Sequence, residues 1–108
     1  NLVLFGREYI QPKGSFTLTS GVLARDPIRG STASAMCNGA LESFVKSAAI
    51  EMPKNLRINV ISPTVLLESM PKLGDRFRGF HPVTAADVAL AYSKSVEGLQ
   101  TGQIYIVE

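Results

Sequence analysis

Residues 31 to 52 carry no proline and one glycine, and their apolar side chains fall at Met36, Ala40, Leu41, Phe44, Val45, Ala48, Ala49 and Met52. Spacings of three and four place these side chains on one face, so the segment is predicted as an amphipathic helix, capped by Ser31 or Thr32 and closed by Pro53. Upstream, Ser15 to Ser20 contains Phe16, Thr17, Leu18 and Thr19, residues that favour extended backbone, and Gly21 ends the run. Downstream, Arg57-Ile58-Asn59-Val60-Ile61-Ser62 is a second strand, stopped by Pro63. A strand, a crossover helix and another strand with few polar positions predict a βαβ unit, with parallel strands buried on both faces and a right-handed crossover.

The flanks extend that unit. Asn1 to Ile10 has apolar residues at 2, 3, 4, 5, 9 and 10, a pattern open to a strand or the end of a helix; Pro12 and Gly14 just beyond it favour a helix end leading into the first strand. From Thr64 to Pro82 the chain is too irregular for a strand, with a short helix expected around Leu67 to Leu73, and long excursions of this kind commonly serve as lids over sites. Thr84-Ala85-Ala86-Asp87 has the spacing of a capping box, and the apolar positions after it predict a second helix to about Glu97, stopped by Gly98. Gly102 to Val107 is a last strand. The reading is one α/β domain over residues 1–108, with about three strands and two main helices.

Composition narrows the class. Hydrophobic residues at 45% against charged residues at 19% argue for a packed core rather than disorder. The net charge of +2 comes from 11 basic and 9 acidic residues scattered along the chain, which leaves no footprint for a nucleic-acid partner. No apolar run approaches the length of a membrane span and no basic-then-apolar leader opens the sequence, so no membrane partner is expected. Cys37 is the single cysteine and sits within the apolar helix, where a packed thiol in a reducing, cytoplasmic setting is expected. The sequence opens in mid-element without methionine, which suggests a piece of a longer protein.

Several strings point to a family. Leu18-Thr19-Ser20-Gly21 resembles the catalytic-serine strand of the short-chain dehydrogenases/reductases, Asn38-Gly39-Ala40-Leu41-Glu42 stands where that family has Lys-Ala-Ala-Leu-Glu, and Arg57-Ile58-Asn59-Val60-Ile61-Ser62-Pro63 resembles its Arg-Val-Asn-x-Val-Ser-Pro strand. Thr101-Gly102-Gln103 before an apolar strand resembles its last strand. The resemblance spans nearly all of the chain and implies the carboxyl-terminal half of a Rossmann-like, doubly wound parallel sheet, from an oxidoreductase using NAD or NADP on a small-molecule substrate.

The same resemblance assigns roles. Ser20 matches the serine that hydrogen-bonds the substrate carbonyl. Ser34 falls on the tyrosine that exchanges a proton with the substrate oxygen, and Asn38 falls on the lysine that lowers that tyrosine's pKa. A serine hydroxyl is far less acidic than a lysine-assisted phenol, and an asparagine carries no charge, so the pair at Ser34 and Asn38 is degenerate. Cofactor contacts are expected from Thr19 at the strand end and from Pro63, Thr64, Val65 and Leu66, where the family's backbone amides reach the nicotinamide carboxamide. Thr64 stands in place of a glycine and Glu68 in place of a threonine that holds the carboxamide, so a carboxylate is expected to face the cofactor. The Gly-rich phosphate loop is not among these residues, so neither NAD nor NADP is expected to bind this chain tightly by itself. Strand carboxyl ends form the ligand crevice of an open parallel sheet, so Ser62 joins the expected lining.

Rival chemistries are weaker. His81, Asp87 and Ser20 can be drawn as a hydrolase triad, but no Gly-x-Ser-x-Gly turn surrounds the serine. One histidine and one cysteine make no zinc site, and Tyr9 with Lys13 imitates a Tyr-x-x-x-Lys pair across Pro12, outside the long helix. Lys72, Arg76 and Arg78 read as a solvated face. The expected function is therefore part of an NAD(P)-dependent oxidoreductase, inactive in isolation, with a noncatalytic nucleotide-binding or scaffold protein as the alternative. A homo-oligomer, or pairing with an amino-terminal half, is expected as the partner arrangement.

Overall fold

In the computed structural model, which describes residues 2–108, alternation along one strand sorts the helices into two layers. That strand, β2 (Arg57–Pro63), lies between β1 (Ser15–Thr19) and β3 (Ile104–Val107) in a parallel three-stranded sheet of order β1-β2-β3. Phe16 pairs with Ile58, Leu18 with Val60, and Val60 in turn with Ile104, so these apolar side chains share one face. They receive the long helix α2 (Thr32–Glu51) and the short α1 (Leu2–Gly6), forming a core of Val3, Val45, Ala48, Ile58 and Val60. The opposite face carries Thr17, Thr19, Arg57 and Asn59, whose polar side chains bond to the last main helix, α4 (Ala85–Glu97).

Both crossover helices step the same way across the sheet yet lie on opposite faces. The β1-α2-β2 and β2-α4-β3 connections therefore have opposite hands, and one of them departs from the right-handed rule. The excursion from Thr64 to Thr84 makes this passage, closing at its base where Leu66 and Val83 form a parallel bridge. It carries short turns of 3-10 helix at Leu67–Ser69 and Gly74–Phe77 around α3 (Met70–Leu73), so the helix expected over Leu67 to Leu73 is split in two and a further turn follows it. Pro71 at the start of α3 sets that boundary, because it removes a backbone donor. Phe77 and Phe80 meet edge-to-face at 5.3 Å.

Two expectations for α2 need correction. Of its apolar stripe only Val45 and Ala48 are buried; Met36 is 69% exposed, Ala40 is exposed, and Cys37 is an exposed free thiol rather than a packed one. Length explains this: the 20-residue helix runs about 30 Å, against about 23 Å for the seven residues of β2, so its amino-terminal turns overhang the sheet. Ser31 occupies the N-cap position, its carbonyl accepting from Ala35 N at 2.7 Å, but its side chain does not bond the helix. Its Oγ accepts from Ile28 N at 3.0 Å and donates to Ile28 O at 2.6 Å, closing the preceding turn instead.

Helix α4 has the predicted capping box, with Asp87 N donating to Thr84 Oγ1 at 3.1 Å and Thr84 N to Asp87 Oδ2 at 3.2 Å. The far edge of β1 pairs with no strand among the described residues. Residues 2–6 are helical, in line with the helix end expected there; Asn1 lies outside the described residues.

Candidate active site

The carboxyl ends of β1 and β2 converge on α2. Ser20 extends β1 by one step, its N–H donating to Ile61 O at 2.8 Å, and Ser62 is fully buried beside it on β2. Both hydroxyls donate to one oxygen of Glu42 on α2, Ser20 at 2.7 Å and Ser62 at 3.0 Å. Arg25 completes the cluster. Its Nη1 donates to Ser62 Oγ and its Nη2 to Ser62 O at 3.1 Å, and it lies 3.8 Å from Glu108. Glu42 is half-buried, and its carboxylate receives two hydroxyl protons here.

An open cavity of about 210 Å³ sits above this cluster, lined by Ser20 to Leu23, Asn38, Pro63 to Val65, and Phe77 from the excursion. Asn38 is one turn before Glu42, so both face the strand ends. The cavity wall is tight there: a Cβ on Gly21 would lie 3.3 Å from Asn38 Nδ2, which makes glycine the residue that lets the loop approach the helix.

The cavity brings together Ser20, Asn38, Pro63, Thr64 and Val65. Three expected residues stand apart from its lining. Thr19 is on the opposite sheet face, its hydroxyl bonded to Tyr92 of α4; Ser34 is exposed one turn above Asn38; Leu66 lies beyond Val65 at the bridge. Ser62 lies beneath the cavity. Glu68, expected to face a cofactor, turns away: its Oε2 accepts from Ala85 N at 2.9 Å and its Oε1 at 3.3 Å, so the carboxylate serves the amino terminus of α4. The hydrolase triad is not assembled, because Ser20 is bonded to Glu42 and Asp87 to Thr84. Glu42, Arg25 and Phe77 were missed as site residues; the four-residue step from Asn38 to Glu42 was the available signal.

No family model matches the sequence. Solved structures do. The protein lin1944 from Listeria innocua is 55% identical, with a TM-score of 0.97 over 99% of this chain and 54% of its own. A small-chain dehydrogenase is 31% identical at a TM-score of 0.78 over 98% of this chain and 49% of its own. The chain belongs to the short-chain dehydrogenase/reductase family. A further small-chain dehydrogenase, solved in complex with NADPH, is 28% identical at a TM-score of 0.81, over 98% of this chain and 54% of its own. The chain spans about half the length of these proteins, and its three parallel strands and flanking helices form part of the Rossmann-like sheet.

Family membership implies a nicotinamide nucleotide, and the backbone after Pro63 fits one part of it. Thr64 N donates to Val107 O at 2.9 Å, and Val65 O accepts from Val83 N, but the Val65 and Leu66 N–H groups have no acceptor among the described residues. Two adjacent free donors suit a carboxamide oxygen. Among the described residues no cluster of three or more His, Cys, Asp or Glu could hold a metal ion, and no helix is long and apolar enough to cross a membrane.

Proposed function

We propose that this chain is the substrate-side half of an NAD(P)-dependent oxidoreductase and has no catalysis of its own. The observation that carries the reading is the cavity at the strand carboxyl ends, where Ser20 and Asn38 stand beside the unpaired amides that follow Pro63. Val65 and Leu66 would hold the nicotinamide carboxamide, Thr64 would pack against the ring, and Ser20 and Asn38 would meet the substrate. When bound, the nucleotide supplies or accepts the hydride. Asn38 and Ser20 orient the substrate, Phe77 excludes water from one side, and the proton must come from elsewhere, because Ser34 is exposed and neither it nor Asn38 is an acid.

A noncatalytic nucleotide-binding or scaffold protein is the second reading. It is favoured by one feature: no residue lining the cavity has a titratable side chain. The two readings part on hydride transfer. Calorimetry with NADH and NADPH on the intact protein, followed by turnover on a panel of aldehydes and ketones, decides between them. Binding with turnover supports the oxidoreductase; binding without turnover supports a noncatalytic nucleotide-binding protein; no binding of either nucleotide sinks the oxidoreductase and leaves the scaffold. The exposed free thiol of Cys37 suits a reducing compartment, and a cytoplasmic location is proposed on that ground.

A further inference from the structure

The hydrogen-bond directions under the cavity are forced by the chemistry of the groups. An arginine can only donate, so Ser62 Oγ accepts from Arg25 Nη1, and the serine's own proton goes to Glu42 Oε2 at 3.0 Å. Ser20 gives its proton to the same oxygen at 2.7 Å. A carboxylate offers acceptors alone, so it cannot return a proton to either serine. Ser20 lines the cavity with its donor already committed, and its Oγ presents lone pairs to any ligand.

Asn38 supplies the complement. Its side-chain amide has no hydrogen-bond partner among the described residues, and its nitrogen lies across from Gly21, the residue after Ser20. One wall of the cavity thus offers an acceptor at Ser20 and a donor at Asn38.

We infer that Glu42 fixes Ser20 as a hydrogen-bond acceptor, so that the cavity selects a ligand hydroxyl over the matching ketone. This rests on the cavity being the ligand site. A hydroxyl donates to Ser20 Oγ and accepts from Asn38 Nδ2. A ketone oxygen accepts from Asn38 equally well but meets Ser20 lone pair to lone pair. The family serine is expected to donate to a carbonyl; here Glu42 reverses that polarity. Glu42 touches no ligand and acts through Ser20 as a positioning residue.

The test uses cyclohexanol and cyclohexanone, rings matched in shape and small enough for the cavity, titrated into the isotopically labelled intact protein. Amide shifts at Gly21, Val22, Asn38 and Val65 are followed. Cyclohexanol should bind about tenfold more tightly than cyclohexanone, and the ratio should fall to about one in Glu42→Met, whose side chain offers Ser20 no oxygen acceptor and leaves its proton free for a ligand. Ser20→Ala, which leaves the Arg25, Ser62 and Glu42 contacts in place, should lose the preference as well, and it serves if Glu42→Met does not fold. Ser62→Ala should keep it. A ketone that binds as tightly as the alcohol in the unmodified protein, or a preference that survives Ser20→Ala, overturns the inference and leaves the cavity as a ligand site. If neither probe moves these amides, the ligand-site reading fails and the inference fails with it.

Discussion

Arg57, the first residue of β2, donates from Nη1 to the Ser95 carbonyl at 2.6 Å and from Nη2 to the Val96 carbonyl at 2.8 Å, so the strand caps the last turn of α4. A fixed cation on exposed helix carbonyls complements the negative end of the helix dipole. The amino terminus of α4 is held by Glu68 and by the capping box of Thr84 and Asp87. Only Ser95 of this helix is buried, so polar contacts rather than apolar burial set its position on the sheet.

Arg57→Ala should therefore lower stability by about 2 kcal/mol, the scale of hydrogen bonds from a charged group. Arg57→Lys should recover less than half of the loss, since one ammonium does not reproduce a planar fork on two carbonyls. Urea unfolding of the three proteins checks this. Equal stability of all three would mean that α4 stays in place without the cap.

Asn59 is the buried hub of the same face. Its Nδ2 donates to Gln100 O at 3.0 Å and to Ser95 Oγ at 3.2 Å, and its Oδ1 accepts from Gln103 N at 3.0 Å. These bonds tie β2 to the turn that starts β3. Asn59→Ala removes three hydrogen bonds from a buried position, leaving Gln100 O and Gln103 N without this partner, and should cost about 3 kcal/mol. Ser95→Ala removes one hydroxyl shared with Thr17 and should cost about 1 kcal/mol. A larger loss at Ser95 than at Asn59 in denaturant melts would reverse this ranking.

Most of the fold was legible because hydrophobic spacing reports directly on burial. Ile58 to Ile61 read as a strand covered on both faces, and these residues are fully buried. Thr84 and Asp87 read as a capping box because both partners lie within one turn. What the pattern concealed was non-local. Met36 and Cys37 carry the spacing of core residues, yet whether a stripe is covered depends on how far the sheet extends beneath it. Thr19 and Ser20 are neighbours with similar side chains, but strand alternation sends one to Tyr92 and the other to Glu42. Glu68 illustrates the limit of alignment: its place in a family string pointed to a cofactor, while the nearby helix terminus claimed its carboxylate.

Tyr105 gives a pH signature. Burial pushes its phenol above the ordinary tyrosine value, an effect partly offset by the charge of Arg57. The raised group is neutral when protonated, so its contribution to stability is fully present below the ordinary tyrosine range. It is lost as pH rises through the folded-state value, because the unfolded chain ionises first. Phenolate absorbance should therefore show one tyrosine titrating late, absent in Tyr105→Phe, and stability of the unmodified protein should fall more steeply at alkaline pH than that of the variant. Arg57→Ala should push the late titration higher still. A downward move in that variant would show that the guanidinium is not the charge it senses.

Restoring the family pair tests whether Ser34 and Asn38 are what disable the site. In the intact protein, Ser34→Tyr with Asn38→Lys should raise carbonyl reduction by about a hundredfold, the usual worth of a placed general acid. Lysine at 38 also stands one turn from Glu42 and competes with Ser20 for its carboxylate, so adding Glu42→Gln should increase the gain. A folded, NADPH-binding double variant with unchanged turnover would place the defect elsewhere, with Thr64 as the first suspect.

Assembly follows from surfaces that this chain leaves open. The far edge of β1 presents unpaired backbone groups, and α1 is a helix, so residues 2–6 do not turn back as a strand to cover it. Along a shallow groove of about 440 Å³ on α2, Cys37 and Ala40 are exposed and Leu41 and Phe44 half-buried, while Leu2 and Phe5 of α1 are 84% and 74% exposed. Apolar side chains grouped in this way mark surfaces that another protein surface covers. We propose that a second copy of the chain, or an amino-terminal half, occupies them, with small side chains such as Ala40 allowing close helix approach. Light scattering at micromolar concentration should give at least twice 11.6 kDa for the chain by itself. Leu41→Glu with Phe44→Glu should shift that mass towards the monomer and leave a β1-edge contact intact. A monomer in the unmodified chain at that concentration would show that neither surface drives self-association.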